Sequence, residues 1–171
     1  MENPDVRAAG TSRVYVDMVG DLFHAGHVSL LREARRHGDW LVVGVLSDDT
    51  AASYKRRPIM TLAERVAVIE SCRYVDEVIE DAPFQVTEGF LAEHGITTVV
   101  HGDDLSPEAA EFVYGPAAAA GKLTYVRRTG GISTTQLIQR VLDAADSRMR
   151  RGSRDESVAR GRPARSSPMP E

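Results

Sequence analysis

The stretch at residues 21–27, DLFHAGH, places two histidines, His24 and His27, on either side of Gly26. An apolar run precedes it and an amphipathic segment follows it, which predicts a strand, a tight turn and a helix. Gly26 lets the backbone approach a ligand closely, and two imidazoles at a helix start can face one anion beside the unpaired N–H groups. The spacing therefore indicates a site for the phosphates of a nucleotide.

Further candidate phosphate ligands lie in two later loops. Lys55 begins a basic loop, residues 55–57, that could swing cations across bound phosphates, although a solvated surface loop has the same composition. Arg128 precedes residues 129–135, TGGISTT, which offer hydroxyls and N–H groups to a polyphosphate and are also typical of a simple helix cap. The position of these residues in the predicted fold, rather than their composition, favours the phosphate-binding interpretation.

Several other kinds of site are disfavoured. The first strand is not followed by the GxGxxG pattern of dinucleotide-binding folds, and the sequence has no GxxxxGK(S/T) phosphate loop. No Cys or third His lies at a useful spacing from His24 and His27, which argues against zinc.

Hydrophobic periodicity predicts an α/β fold with a Rossmann-like, doubly wound parallel sheet of about five strands. The strands are predicted at residues 14–19, 41–46, 75–79, 97–100 and 123–126. Helices are predicted at residues 28–36, from a cap at Thr61, at 87–94, at 107–120 with a break at Gly115-Pro116, and at the C-terminal end through residue 142. In such sheets ligands bind where the strands end, and every unusual loop of this sequence follows a predicted strand.

The 171 residues suit one domain, predicted at residues 13–146 between a flexible N-terminus (1–12) and a disordered basic tail (147–171). The tail holds seven Arg against three acidic residues, so the net charge of −4 leaves −8 on residues 1–146. An acidic body argues against nucleic acid as a partner, and no apolar run is long enough to span a membrane. The single Cys72 and the polar N-terminus fit a cytoplasmic protein.

Taken together, the motifs resemble those of the cytidylyltransferase family over about residues 13–142. They are DLFHAGH, the Lys55 loop, Glu64-Arg65, CRYVDEV at residues 72–78 and RTGGISTT at residues 128–135. Residues 81–84, DAPF, are similar to the branch that acts on choline phosphate and ethanolamine phosphate. Members of the family move CMP from CTP onto a small phosphorylated compound and release pyrophosphate.

The resemblance implies roles for individual residues. His24, His27, Lys55 and Arg128 would be catalytic, with the histidines on the CTP phosphates and Lys55 between CTP and the acceptor. CTP would be held by Asp21, Gly26, Arg73, Asp103, Thr129, Ile132, Ser133 and Thr134. Mg²⁺ is expected on the triphosphate without direct protein ligands, and a homodimer is expected with residues 73–78 near its interface.

One departure from the family concerns the acceptor. Relatives usually carry glycine and an aromatic residue where this chain has Met18 and Gly20, and these two residues with Val19 are predicted to border the acceptor. Phe84 and Tyr114 could form a cation–π site for an amine, although core packing explains Phe84 equally well. The departure leads us to expect a phosphate or phosphonate acceptor, with a phosphonate of specialised biosynthesis as the main hypothesis and choline phosphate or ethanolamine phosphate as the alternative.

Two further alternatives remain at this level. An adenylyltransferase of the same superfamily would share the histidine motif, although RTGGISTT and CRYVDEV favour cytidine. A non-catalytic nucleotide-binding module would need the pocket but not the full set of phosphate cations.

Overall fold

The computed structural model describes residues 10–128 and 130–160, with side chains as far as residue 148. Its strands are β1 (Arg13–Met18), β2 (Trp40–Val45), β3 (Glu77–Glu80), β4 (Thr98–Gly102) and β5 (Leu123–Val126). Its helices are α1 (Ala25–Ala34), α2 (Asp48–Tyr54), α3 (Leu62–Glu70), α4 (Glu88–Glu93), α5 (Pro107–Ala119) and α6 (Thr134–Arg160), with a 3₁₀ turn at Arg35–His37.

The five strands form one parallel sheet in the order β3-β2-β1-β4-β5. The chain therefore builds outward from β1 to one edge, returns to β4 beside β1, and continues to the other edge. This confirms the predicted doubly wound α/β fold. The strand order reverses between β1 and β4, which is where such sheets open a ligand crevice beyond their carboxyl ends.

Strand β1 is buried along its whole length because helices cover both faces of the sheet. Val14 and Val16 pack on one face with Leu31 of helix α1, whereas Tyr15 packs on the other face with Phe90 of α4. The continuous apolar sequence of the central strands follows from this two-sided burial. It fixes the carboxyl end of β1 as a rigid base for the loop that follows.

The described residues divide into two compact units. The first extends through Thr134 and contains the sheet with helices α1–α5, and the second starts at Thr135 within helix α6. The domain bounds predicted from sequence, including 13–146, stay predictions. Among the described residues no helix combines the length and the apolar character that a bilayer span requires.

Helix α6 continues over residues 147–160, where a disordered tail was predicted. That prediction rested on low apolar content, which limits burial but does not prevent a helix, and the segment contains Arg, Glu and Ala, which favour helical backbone. Residues 161–171 of the tail and residues 1–9 of the predicted flexible N-terminus lie outside the described residues.

Helix starts differ from the sequence prediction at two places. Helix α1 begins at Ala25 rather than at Val28, because the His24 side chain caps it. Helix α2 was not predicted, since Ser47 and the acids after it suggested a loop; the Ser47 hydroxyl in fact accepts the Thr50 N–H and begins the helix. Both helices start at the carboxyl edge of the sheet, next to the candidate site.

The predicted break at Gly115-Pro116 is wrong, because helix α5 passes through Pro116 without interruption. A proline disfavours helical backbone at the preceding residue partly by contact with its Cβ, and Gly115 has none. Pro116 nevertheless has no N–H to donate to the Phe112 carbonyl four residues earlier. The Gln85 side chain, in a neighbouring loop, donates a hydrogen bond to that carbonyl instead.

Candidate active site

His24 and His27 stack at the start of helix α1, with ring centroids 3.9 Å apart and planes inclined by 22°. Nδ1 of His24 accepts the Gly26 N–H at 3.1 Å, and Nδ1 of His27 accepts the His24 N–H at 3.2 Å. A neutral imidazole whose Nδ1 accepts carries its proton on Nε2. Both rings therefore hold an Nε2–H donor that the capping bonds do not use.

Burial keeps both imidazoles neutral at physiological pH. It lowers the pKa of His27 to about 4, with a further contribution from the neighbouring His24, and the Lys55 ammonium acts in the same direction. Burial also lowers the pKa of His24, and the Arg128 guanidinium adds to the effect. Lys55 follows helix α2 and Arg128 follows strand β5, so the fold brings all four predicted catalytic residues into one electrostatic neighbourhood.

Gly26 is required by close packing on two sides. A Cβ at this position would lie 2.9 Å from Cε1 of His24 and 3.3 Å from Cγ2 of Ile132. The absence of a side chain thus lets the loop after β5 approach the start of helix α1. Ile132 therefore lies near the His24 ring, and its predicted role in holding CTP stays a prediction.

Asp21 ties three loops of the site together. Its buried carboxylate accepts the N–H groups of Ile59 and Met60 at 3.0 Å and pairs with Arg56 at 2.7 Å, while its carbonyl accepts the Thr134 hydroxyl at 2.9 Å. Burial pushes the pKa of this carboxyl upward, but the two amides and the guanidinium outweigh it and hold the pKa below its usual value. Asp21 therefore holds the loop that follows Lys55 against the histidine turn.

Lys55 directly follows helix α2 and begins the loop held by Asp21. Its Nζ lies 5.4 Å from the centroid of the Tyr54 ring, and its charge lowers the pKa of both His27 and Asp17. The ammonium is therefore close enough to both His27 and Asp17 for its charge to act on them.

Two acids that follow β4 hold Arg128. Asp103 accepts the Arg128 backbone N–H at 2.9 Å, and Asp104 pairs with the Arg128 guanidinium at 3.0 Å. Asp103 thus fixes the loop that carries Arg128 and Ile132. Ser133 lies in this loop, Thr134 contacts Asp21 as described, and Thr129 lies outside the described residues.

Arg73 is not brought to the other candidates. It lies after helix α3 and is exposed, and among the described residues it forms no hydrogen bond or ion pair. Its predicted place near the cytosine stays a prediction.

Arg65 was missed as a site residue. Its side chain is completely buried and donates to the carbonyl oxygens of Val19 at 2.5 Å and Leu46 at 2.8 Å, which are the residues just after β1 and β2. It also donates to the Met60 carbonyl at 3.3 Å and pairs with Asp48 at 2.5 Å. One guanidinium thus joins the ends of two strands to helix α2 and to the loop after Lys55.

The ion pair that Arg65 forms is with Asp48 and not with its sequence neighbour Glu64. Glu64 instead forms a capping box with Thr61. The usable signal was the Glu64-Arg65 pair among the family motifs, since spacing alone could not place Arg65 in the core.

Met18, Val19 and Gly20 have structural partners. Met18 packs in the hydrophobic core, and the Val19 carbonyl accepts from Arg65. Gly20 has a φ of 71°, and a Cβ there would lie 2.6 Å from Cδ1 of Ile69. These contacts explain the residue types without an acceptor, and the predicted acceptor role of the segment stays a prediction.

Asp17 was also missed, although an acid near the end of a buried apolar strand is a readable signal. Its carboxylate accepts the Tyr114 hydroxyl at 2.5 Å and is 8% exposed. Burial raises its pKa, while the Tyr114 hydrogen bond and the charges of His101 and Lys55 act in the opposite direction. The Tyr114 hydroxyl is therefore hydrogen-bonded to a buried carboxylate near the carboxyl end of β1.

Phe84 lies between two other aromatic rings. The centroid of Tyr54 is 4.8 Å from it, and that of Phe112 is 6.2 Å away. Burial and the Asp17 charge raise the pKa of Tyr54 to about 12, so this ring stands close to the buried carboxylate. Asp17 and three aromatic rings therefore lie on the Lys55 side of the site.

The described residues of the site form no protein cage for a metal ion. Within the described part of the chain, no three His, Cys, Asp or Glu side chains are grouped so as to hold a metal ion. The Mg²⁺ expected on the triphosphate, without direct protein ligands, stays a prediction.

Comparison with known proteins identifies the family. The cytidylyltransferase-like family model matches residues 20–140. The chain is 44% identical over 131 residues to the ethanolamine-phosphate cytidylyltransferase of Dictyostelium discoideum, covering 76% of this chain and 36% of the relative. It is 40% identical over 142 residues to choline-phosphate cytidylyltransferase A of Rattus norvegicus, covering 81% of this chain and 39% of the relative.

A solved structure agrees with the fold. The lipopolysaccharide core biosynthesis protein of Thermoplasma volcanium GSS1 is 28% identical and superposes with a TM-score of 0.59, covering 72% of this chain and all of that one. The chain spans little more than a third of the length of the two curated relatives described above. The match over most of the chain, and the placement of the histidine motif at the carboxyl edge of the sheet, show that this chain belongs to the cytidylyltransferase-like family.

Proposed function

We propose that this chain transfers CMP from CTP to the phosphate of phosphoethanolamine or phosphocholine, with release of pyrophosphate. The observation that carries the proposal is the pair of stacked imidazoles, His24 and His27, whose Nδ1 atoms are both occupied by backbone N–H groups. Each ring is left with an Nε2–H donor at a helix N-terminus, where phosphate oxygens are favoured.

The reaction would be an in-line displacement at the α-phosphorus of CTP. A phosphate oxygen of the acceptor forms the new P–O bond as the bond to the β-phosphate oxygen breaks, and the electron pair leaves with pyrophosphate. The attacking oxygen is already an anion, so no general base is needed. Orientation and charge neutralisation then supply the catalysis.

The neutral histidines and the two cations, Lys55 and Arg128, divide this work by their position. His24 and His27 would donate to the oxygens of the α-phosphate. Arg128, held beside the histidines by Asp103 and Asp104, would bind the leaving phosphates. Lys55, whose charge acts on both His27 and Asp17, would join the triphosphate to the acceptor. The charge that shifts to pyrophosphate is stabilised by groups already in place.

Asp17 and the rings beside it support an amine-bearing acceptor. A buried carboxylate near Tyr54 and Tyr114, with Phe84 packed against Tyr54, is suited to an ammonium group, which gains from the charge and from the ring faces. An arriving ammonium would also lower the raised pKa of Asp17 and keep it ionised. Lys55 would meanwhile meet the phosphate of the same molecule.

The acceptor proposal differs from the phosphonate hypothesis of the sequence analysis. The relatives in Dictyostelium and rat are named for the phosphate esters of ethanolamine and choline. Met18 and Gly20, on which the phosphonate hypothesis rested, have structural reasons for their identity. The first finding supports a phosphate ester, and the second removes the reason for preferring a phosphonate.

Mg²⁺ would enter as part of the nucleotide complex. With no protein cluster to hold it among the described residues, its ligands would be phosphate oxygens and water. There it would neutralise part of the triphosphate charge. The homodimer and the cytoplasmic location stay predictions; sedimentation of the purified chain would test the first.

The experiment offers the intact chain CTP or ATP with Mg²⁺ and one of three acceptors: phosphoethanolamine, phosphocholine and 2-aminoethylphosphonate. Pyrophosphate release gives the rate and mass spectrometry identifies the product. We expect a CMP-linked product with CTP and at least one phosphate ester.

Each other outcome contradicts part of the proposal. A product from the phosphonate alone would overturn the acceptor, and a product from ATP alone would make the chain an adenylyltransferase. A folded chain that binds CTP but transfers CMP to none of the three acceptors would contradict the proposed activity.

A further inference from the structure

Phe84, which the proposed function places beside the acceptor, is held by the segment that follows it. The Gln85 side chain donates through Nε2 to the Phe112 carbonyl of helix α5 at 3.1 Å. The next backbone N–H, of Val86, donates to the Val113 carbonyl at 2.9 Å. Two successive residues thus attach the Phe84 loop to two successive carbonyls of one helix.

The first of these carbonyls, that of Phe112, lacks a helical donor because of Pro116. Inside a helix the N–H of residue 116 would bond the Phe112 carbonyl, but proline has no N–H and its ring pushes that carbonyl outward. The Gln85 amide takes the place of the missing donor. The proline in the interior of helix α5 thus removes one helical hydrogen bond and leaves the Phe112 carbonyl to Gln85.

The same stretch of helix α5 carries the two rings of the acceptor side. Phe112 contacts Phe84, and Tyr114 donates to Asp17. A shift of the Gln85 anchor would therefore move Phe84 relative to both Tyr54 and the buried carboxylate. CTP phosphates lie with other residues, at the histidine turn and the loop of Arg128, so the anchor should affect one substrate and not the other.

We propose that Gln85 and Pro116 are positioning residues for the acceptor: Pro116 frees the Phe112 carbonyl, and Gln85 uses it to hold Phe84 at the acceptor side of the site. Neither residue touches the reacting atoms. This proposal rests on the proposed function only for the identity of the molecule that Phe84 meets.

The test compares two variants with a matched control. Gln85→Glu keeps the side-chain size but replaces the N–H donor with a carboxylate that the carbonyl repels. Pro116→Ala restores the helical N–H and draws the Phe112 carbonyl back toward the helix. Gln139→Glu makes the same exchange on helix α6, where Gln139 bonds Asp143.

We expect both variants to raise KM for phosphoethanolamine about tenfold while KM for CTP stays within about twofold, and Gln139→Glu to change neither. Pro116→Ala should at the same time raise the melting temperature, because alanine suits a helix interior better than proline. A purely structural proline would give higher stability with no change in KM. Unchanged KM values, or equal increases for CTP and acceptor, in folded variants would overturn the proposal.

Hydrogen exchange of the Val86 amide separates this proposal from the proposed function. In Pro116→Ala and Gln85→Glu the Val86 N–H should exchange faster than in the wild type, even if no acceptor is ever converted. If the wild type is inactive with every acceptor and Val86 exchange does rise, the function fails and the anchor stands. Unchanged exchange would overturn the anchor whatever the activity.

Discussion

Arg56 and Asp21 form an ion pair at 2.7 Å in which the carboxylate is buried, with a side chain 5% exposed, and the guanidinium is partly open to solvent. The same carboxylate accepts the N–H groups of Ile59 and Met60. The loop that starts at Lys55 is thus fixed from the histidine turn before any ligand arrives. Its cations need little reorganisation during transfer.

Asp21→Asn should therefore loosen this loop. The amide keeps the shape but loses the charge, and one of its two ends can no longer accept the backbone N–H groups. We expect a loss of about 1–3 kcal/mol in the free energy of unfolding, measured by urea titration, and a fall in turnover. Asp49→Asn is the control, since its pair with Arg57 is exposed on both sides and should contribute less than about 1 kcal/mol. Equal effects from both variants would contradict the role given to Asp21.

Arg65→Met should be severely destabilising. It removes a buried guanidinium and leaves the Val19 and Leu46 carbonyls, with the Asp48 carboxylate, without their donor. Removing one partner of a buried charge pair costs about 3–5 kcal/mol, which thermal and urea unfolding would detect. Arg36→Met removes an exposed pair with Glu33 and should have little effect. A stable Arg65→Met protein would show that the strand ends are held by other contacts.

Gly26→Ala should reduce transfer with little effect on folding. The new methyl group would press on the His24 ring and on Ile132, and a small displacement of a positioned group costs about tenfold to a hundredfold in rate. Gly89→Ala is the control, because a Cβ there has only Thr87 Oγ1 nearby, at 3.9 Å. If Gly26→Ala keeps the wild-type turnover, then His24 does not need its capping geometry.

Stability should fall in mildly acidic solution because of His27. Its folded-state pKa is about 4 against about 6.5 in an unfolded chain, so between these pH values the unfolded state binds a proton that the native state does not. The native state therefore loses up to about 3 kcal/mol as the pH falls from 6.5 to 4. His24, whose pKa is also lowered, adds in the same direction.

The measurement is urea unfolding of wild type and His27→Gln at pH 7.5 and pH 5. Glutamine does not titrate, so the variant should lose less stability than the wild type between the two pH values. Equal losses would contradict the burial of a neutral His27.

The sequence predicted those parts of the fold that depend on local patterns. The cap at Thr61 with Glu64, the strand Leu123–Val126 and the end of helix α4 before Gly95 were all read correctly, because neighbouring residues determine them. The parallel sheet was also predicted from local patterns, namely the continuous apolar runs of its buried strands. The β-α alternation then placed the loops at one edge.

Features that depend on distant partners could not be read in this way. Arg65 looks like any helix-surface arginine until strands β1 and β2 place two carbonyls and Asp48 beside it. Gly115-Pro116 suggested a helix end because the loop that uses the freed carbonyl lies about 30 residues earlier. Asp17 was readable as an acid in an apolar strand, but its partner Tyr114 is supplied by helix α5.

The most direct test of the account is the rate of pyrophosphate release from CTP and phosphoethanolamine by wild type, His24→Ala and Lys55→Ala, with circular dichroism to establish folding. We predict that each variant folds and loses turnover by about a hundredfold or more, because each removes a positive or donor group aimed at shifting phosphate charge. A folded His24→Ala protein that turns over at nearly the wild-type rate would contradict the assignment of CMP transfer to this site.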